Sequence, residues 1–251
     1  VNDPRVLNHF GVVLRLADWK TRSSGLQSAL VNDILHRATS VGLSRLRLDA
    51  IQHGLKDRAA AYLAETPVNE DKMAFSSPIV PQFVSEVTAS LAALKTIQNA
   101  AIPLAHAACG RGRRPPSSLT QASAHLSDYG FPDGFAQAAS HYWTTWGKRL
   151  QEYRDLDQHY MALIKQTFLQ VRPEPRLRML LPDNPHAHNP TQHTYTGQVD
   201  GQEFLEHAST ACFSFLDDLA RLAGYEPKPH QINLTRPSWG TVSPAFIGFW
   251  G

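Results

Sequence analysis

Cysteine, charge and long apolar runs are all scarce in this chain. Its two cysteines, Cys109 and Cys212, lie far apart, which excludes a cysteine-based zinc knuckle and a disulfide-stapled secreted fold. Both sit in apolar settings, His106-Ala107-Ala108-Cys109 and Ala211-Cys212-Phe213, and read as buried reduced thiols. Charged residues make up 18% of the chain, too few for a Glu- and Lys-rich coiled coil. A hydrophobic share of 42% excludes a disordered chain. Lysine and arginine number 24 against 22 acidic residues, so nothing marks a protein that coats nucleic acid with its whole surface. No apolar run is long enough to span a bilayer, and Val1-Asn2-Asp3-Pro4 lacks the basic start and apolar stretch of a signal peptide. The expectation is a cytoplasmic protein with no membrane partner. There is no internal repeat, Gly-rich phosphate loop or G-x-S-x-G elbow.

Histidine and proline are abundant, with 12 and 17 residues in a chain of 251. That length can bury the core of one large domain or two small ones. The prolines and glycines mark where helices stop. Residues 5–18 fit a short helix or a strand. From Gly25 to about Glu65 the stripes Leu26, Leu30, Ile34, Leu35 and Leu43, Leu46, Ile51, Leu55, Tyr62 predict two helices, or one broken at Gly42. A Pro-rich loop covers 66–82. Phe83, Val87, Leu91, Leu94 and Ile97 then recur at helical spacing, with Ser85, Thr88 and Lys95 on other faces. Pro103 kinks or interrupts that helix, and Gly110 ends it.

A short helix is expected over 117–127, and the longest helix from Phe135 to Val171. Its stripe is Ala139, Tyr142, Trp146, Leu150, Tyr153, Tyr160, Ile164 and Phe168. Arg176–Leu181 and Thr194–Val199 predict a β-hairpin around a polar connection. A last helix follows, capped by Asp200 and ended by Gly224. The fold expected is mainly α: a bundle of about five to seven helices with a small β-hairpin insertion near 176–200. It divides into an N-terminal helical segment (1–80), a helical bundle (81–225) and an extended C-terminal tail (226–251) packed on the bundle.

The run Tyr153-Arg154-Asp155-Leu156-Asp157-Gln158-His159-Tyr160 lies in the middle of the long helix. With Tyr153 at zero and about 100° per residue, the core stripe spans roughly −20° to +60°. Asp157 falls near about 40°, inside the stripe, whereas Arg154, Asp155 and His159 fall at about 100°, 200° and 240°. An acid is therefore pressed into the apolar line, where it must find a partner or shift its pKa. Capping a loop or pairing with an arginine inside the bundle would satisfy it.

Arg154, four intervening residues and His159 match the R-x(4–6)-H motif of the HEPN superfamily, which residues 80–225 resemble. Asp155 matches the polar residue usual after that arginine. The helix bearing Glu86 and Ser90-Leu91-Ala92-Ala93-Leu94, the motif helix and a closing helix are also similar. The resemblance implies a helical bundle that dimerises, bringing two motifs into one cleft that cuts single-stranded RNA without a metal or other cofactor. It implies acid–base work for His159, a titrating imidazole, and phosphate stabilisation for Arg154, a forked permanent cation. Asp155 and Asp157 would support them. It further implies a bacterial toxin or antiviral-defence setting with a protein partner. Many HEPN domains are non-catalytic binding or assembly modules, and in that alternative Arg154 and His159 are structural.

Two other constellations remain. His186, His188 and His193 could form a metal-binding loop, giving a metal-binding helical protein; a solvated hairpin tip is the alternative. Arg111, Arg113 and Arg114 form a basic loop that could touch RNA phosphates, or simply face water. Asp33 with His36, Asp49 with His53 and Glu203 with His207 do not make the Glu-x-x-His pairs of a diiron bundle.

Overall fold

Helical periodicity and a sharply patterned apolar face generate, among the described residues, six helices of ten residues or more, together with a five-residue helix and a small sheet. The computed structural model describes residues 4–65, 70–109, 116, 118–123, 126–160, 167–187 and 189–225. The expected tail over 226–251 lies outside the described residues. Helix α1 (Pro4–Arg22) buries Val12, Leu16 and Trp19 at spacings of four and three, so the strand option for this segment falls.

Helix α2 (Gly25–Glu65) is one unbroken rod of 41 residues. Its buried line is Val31, Ile34, Ala38, Val41, Ser44, Leu48, Ile51, Leu55 and Ala59. The break expected at Gly42 does not occur. A mid-helix glycine costs about 1 kcal/mol, less than burial of one large aliphatic side chain contributes at about 1.5–3 kcal/mol. An unbroken helix keeps a single phase, which turns Leu26, Leu43, Leu46 and Tyr62 out to solvent, contrary to the two-stripe expectation.

Helix α3 (Ile79–Cys109) packs along α2 and buries the expected Phe83, Val87, Leu91, Leu94 and Ile97 completely. It is not interrupted at Pro103, and Ala101, Ile102, Leu104 and Ala105 are buried on both sides of it. Lys95, expected on an outer face, is buried instead. After α4 (Leu119–Ser123) and a 3₁₀ turn (Leu126–Tyr129) comes α5 (Asp133–Tyr142), then a π-turn (Trp143–Gly147), then α6 (Lys148–Tyr160).

The π-turn has a visible cause and a visible support. The Lys148 N–H reaches back five residues to Trp143 O, and the buried Gln98 amide donates to Gly147 O at 3.5 Å. Gln98 also accepts from the Tyr142 hydroxyl at 3.1 Å. A π-turn inserts one residue into the helical count, so the buried line of α6 becomes Gly147, Leu150, Tyr153 and Leu156. Trp146 is only half-buried.

The helix expected as far as Val171 corresponds to α5, the π-turn and α6, while Thr167–Gln170 is strand β2 rather than helix. Phe168 fits a helical stripe and a strand face equally well, which is why spacing misassigned it. The sheet is four-stranded and antiparallel in the order β1 (Lys72–Met73), β2, β3 (Arg176–Leu181), β4 (Val199–Asp200). Strand β3 is where the sequence placed it, but its main partner is β2, across the turn that Pro173 and Pro175 create. Residues 194–198 form no strand, and β4 meets β3 only at Leu180 and Leu181.

At Leu177 a side chain takes the place of a strand. The Gln52 amide donates to Leu177 O at 2.8 Å and accepts from Leu177 N at 3.0 Å. Gln52 also donates to Gln202, which in turn donates to Asp49, so α2 is tied to α7 (Gly201–Leu222). Asp200 caps α7 as expected, accepting from the N–H groups of Gln202 and Glu203, and Gly224 follows the helix with φ +82°. One cluster of buried side chains runs from Val12 through α2, α3, α5 and α6 to Ala220.

Candidate functional site: a polar cluster of α3, α4 and α6

Tyr153 anchors α6. Its ring meets Phe204 edge-on at 4.8 Å, and its hydroxyl accepts from Arg149 Nε and donates to Pro182 O, each at 3.0 Å. Burial raises the phenol pKa, so the hydroxyl stays protonated and keeps that bond. With Tyr153 pinned, the polar face of the helix is set. Gln151, Arg154 and Asp155 stand at i, i+3 and i+4 and share that face.

Arg154 and Asp155 form an ion pair, Nη1 to Oδ1 at 2.8 Å, with side chains 31% and 39% exposed. The Arg154 Nε is buried and has no hydrogen-bond partner among the described residues. Asp157 is half-buried beside Leu156, and burial raises its carboxyl pKa, in the direction its place on the helix predicts. His159 is on the last turn of α6, five residues after Arg154. An α-helix separates such positions by roughly 7.5 Å along its axis and about 140° around it. The His159 side chain lies outside the described residues, as do Arg111, Arg113 and Arg114.

The structure adds a residue to this face. Lys95 of α3 is 7% exposed, and its ammonium donates to Gln151 Oε1. The Thr120 hydroxyl of α4 donates to the same oxygen. Burial lowers the Lys95 pKa to about 8; Asp155 opposes that shift and Arg154 adds to it. Sequence reasoning passed over Lys95, although a signal was present. It is the single Asp, Glu, Lys or Arg between Glu86 and Arg111. A lone cation in so long an uncharged helical stretch has either a buried partner or a ligand.

The histidine loop is organised around polar side chains. Asp183 accepts from the Thr196 hydroxyl at 2.7 Å and from Gly197 N at 3.1 Å, which holds its carboxyl below the usual range. Asn184 binds Thr194 N and Gln192 O, each at 2.9 Å. His186 is exposed, His193 Nε2 lies 3.1 Å from Ala187 O, and His188 lies outside the described residues. Among the described residues no three His, Cys, Asp or Glu side chains group to hold a metal ion. The carboxylate and histidine pairs on the helices serve elsewhere: Asp33 pairs with Arg37, Glu203 with Arg176, and His207 stacks on Trp146. No helix among the described residues is long and apolar enough to cross a membrane.

No family model, no curated protein and no solved structure matches this chain.

Proposed function

We propose that the chain is a HEPN-like, metal-independent endoribonuclease acting on single-stranded RNA as a homodimer. The observation that carries this reading is the Arg154–Asp155 pair. It is a one-third-exposed ion pair in the middle of α6, five residues ahead of His159 on the same continuous helix. An ion pair this accessible can exchange its carboxylate for a phosphate oxygen at small cost, because exposed pairs contribute only about 0–1 kcal/mol. Arg154 then stabilises the phosphorane. One His159 takes the proton from the ribose 2′-hydroxyl as its oxygen bonds to phosphorus. The other, from the second copy, protonates the departing 5′-oxygen as the P–O5′ bond breaks. Such an activity suits a toxin or antiviral-defence system in which a protein partner restrains it.

The same ion pair also favours a second reading, a non-catalytic binding or assembly module. In it Asp155 neutralises Arg154 permanently and His159 serves packing. Substitution separates the two. In the enzyme, His159→Ala lowers cleavage of mixed single-stranded RNAs by about 10²- to 10⁴-fold while the circular dichroism melt is unchanged. Wild-type protein that leaves those RNAs intact, or a His159→Ala variant that cuts equally well, gives the module reading instead.

A further inference from the structure

We propose that the polar cluster where α3, α4 and α6 meet is a phosphate subsite, in which the Lys95 ammonium and the Arg154 guanidinium hold one phosphodiester of a bound single strand. This inference rests on the ribonuclease reading and extends it to a residue outside the Arg–His motif.

Four features of the cluster support it. An ammonium carries three donors, and among the described residues the hydrogen-bond partner of Lys95 is one neutral oxygen, that of Gln151. A buried cation is costly unless it is paired and hydrogen-bonded, and the carboxylate that acts on Lys95, Asp155, is already paired with Arg154. Second, Gln151 Oε1 is claimed twice, by Lys95 and by Thr120. When Lys95 turns to a phosphate, the Thr120 hydroxyl keeps that oxygen satisfied. Third, Arg154 offers its buried Nε, which has no partner among the described residues, from the same face of α6. Fourth, two cations and the Asp155 carboxylate leave one positive charge, which a single phosphodiester neutralises. Thr120 is exposed and Arg154 and Asp155 are partly so, which gives the strand its approach.

The test uses an uncleavable 2′-O-methyl single-stranded oligonucleotide, with binding followed by fluorescence anisotropy over a range of salt. Lys95→Gln is expected to weaken binding about tenfold and to reduce the slope of log K against log salt by about 0.7, the signature of one lost phosphate contact. Lys95→Arg is expected to restore most of both. Lys95→Met, which removes a buried charge, serves as a second neutral variant, and melts of each variant verify folding. If wild type binds and both neutral variants bind with unchanged affinity and slope, the subsite is overturned and the ribonuclease reading stands. If wild type binds no oligonucleotide, the ribonuclease reading falls and the phosphodiester subsite falls with it. If inorganic phosphate raises the melting temperature of wild type but not of Lys95→Gln while the oligonucleotide does not bind, the cluster holds a free anion and the strand assignment is overturned.

Discussion

Lys95 shows how one side chain couples burial, proton affinity and stability. In the folded chain its pKa is about 8 against an ordinary value of 10.5. Below about pH 8 the lysine is charged in both the folded and unfolded states, and the burial penalty is present in full. As pH rises through the folded pKa the native protein releases the proton while the unfolded chain still holds it. The contribution of this group to stability therefore increases until the pH reaches the ordinary lysine value. Lys95→Met should melt above wild type at about pH 7, and the gap should narrow by about pH 10. Thermal melts at both pH values test this, and a gap that widens with pH would contradict the burial account. Arg154, Asp155 and His159 could be singled out as candidates in sequence because they sit at fixed spacing. Lys95 was not, because its importance depends on a neighbouring helix that covers it.

At the scale of elements, the π-turn decides which side of α6 is apolar. Gly147 sits where a Cβ would lie 3.0 Å from Tyr142 Cε1, 3.2 Å from Trp143 Cε3 and 3.3 Å from Gln98 Oε1. Tyr142 is stacked on Phe215 at 4.6 Å and cannot withdraw. Replacing a helical glycine by alanine normally stabilises by about 1 kcal/mol, but overpacking costs about 1–3 kcal/mol. Gly147→Ala is therefore expected to lower stability on balance, and a rise in the urea midpoint would refute the packing argument. The cap and stop of α7 and the apolar stripe of α3 were legible because Asp200, Gly224 and the regular spacing act locally. The π-turn was not legible, since it depends on Gln98, far away in sequence, supplying an amide to Gly147 O. Strand β2 was hidden for a similar reason: only its pairing with β1 and β3 distinguishes Thr167–Gln170 from another helical turn.

Across the whole molecule, a single cluster of buried side chains links α1 to α7, and Cys212 lies inside it, fully buried. Burial pushes its thiol up to about 12, so almost no thiolate exists at neutral pH. Labelling of Cys212 in a Cys109→Ser background should therefore proceed only through global opening. Its rate should rise with urea along the same slope as the equilibrium transition, and rapid labelling in native buffer would mean that this part of the core opens independently. The mainly helical class was readable from composition and periodicity alone. The sheet was readable only in part, because strand partners are chosen by long-range contacts.

The Gln52 amide bonded to both backbone groups of Leu177 has a consequence for association. Strand β4 leaves that stretch of β3 uncovered, and an uncovered strand edge is a template for another chain. A helix-borne amide fills the vacancy with the same donor and acceptor that a strand would present. At this residue α2 thus denies an incoming backbone a place to pair without lengthening the sheet itself.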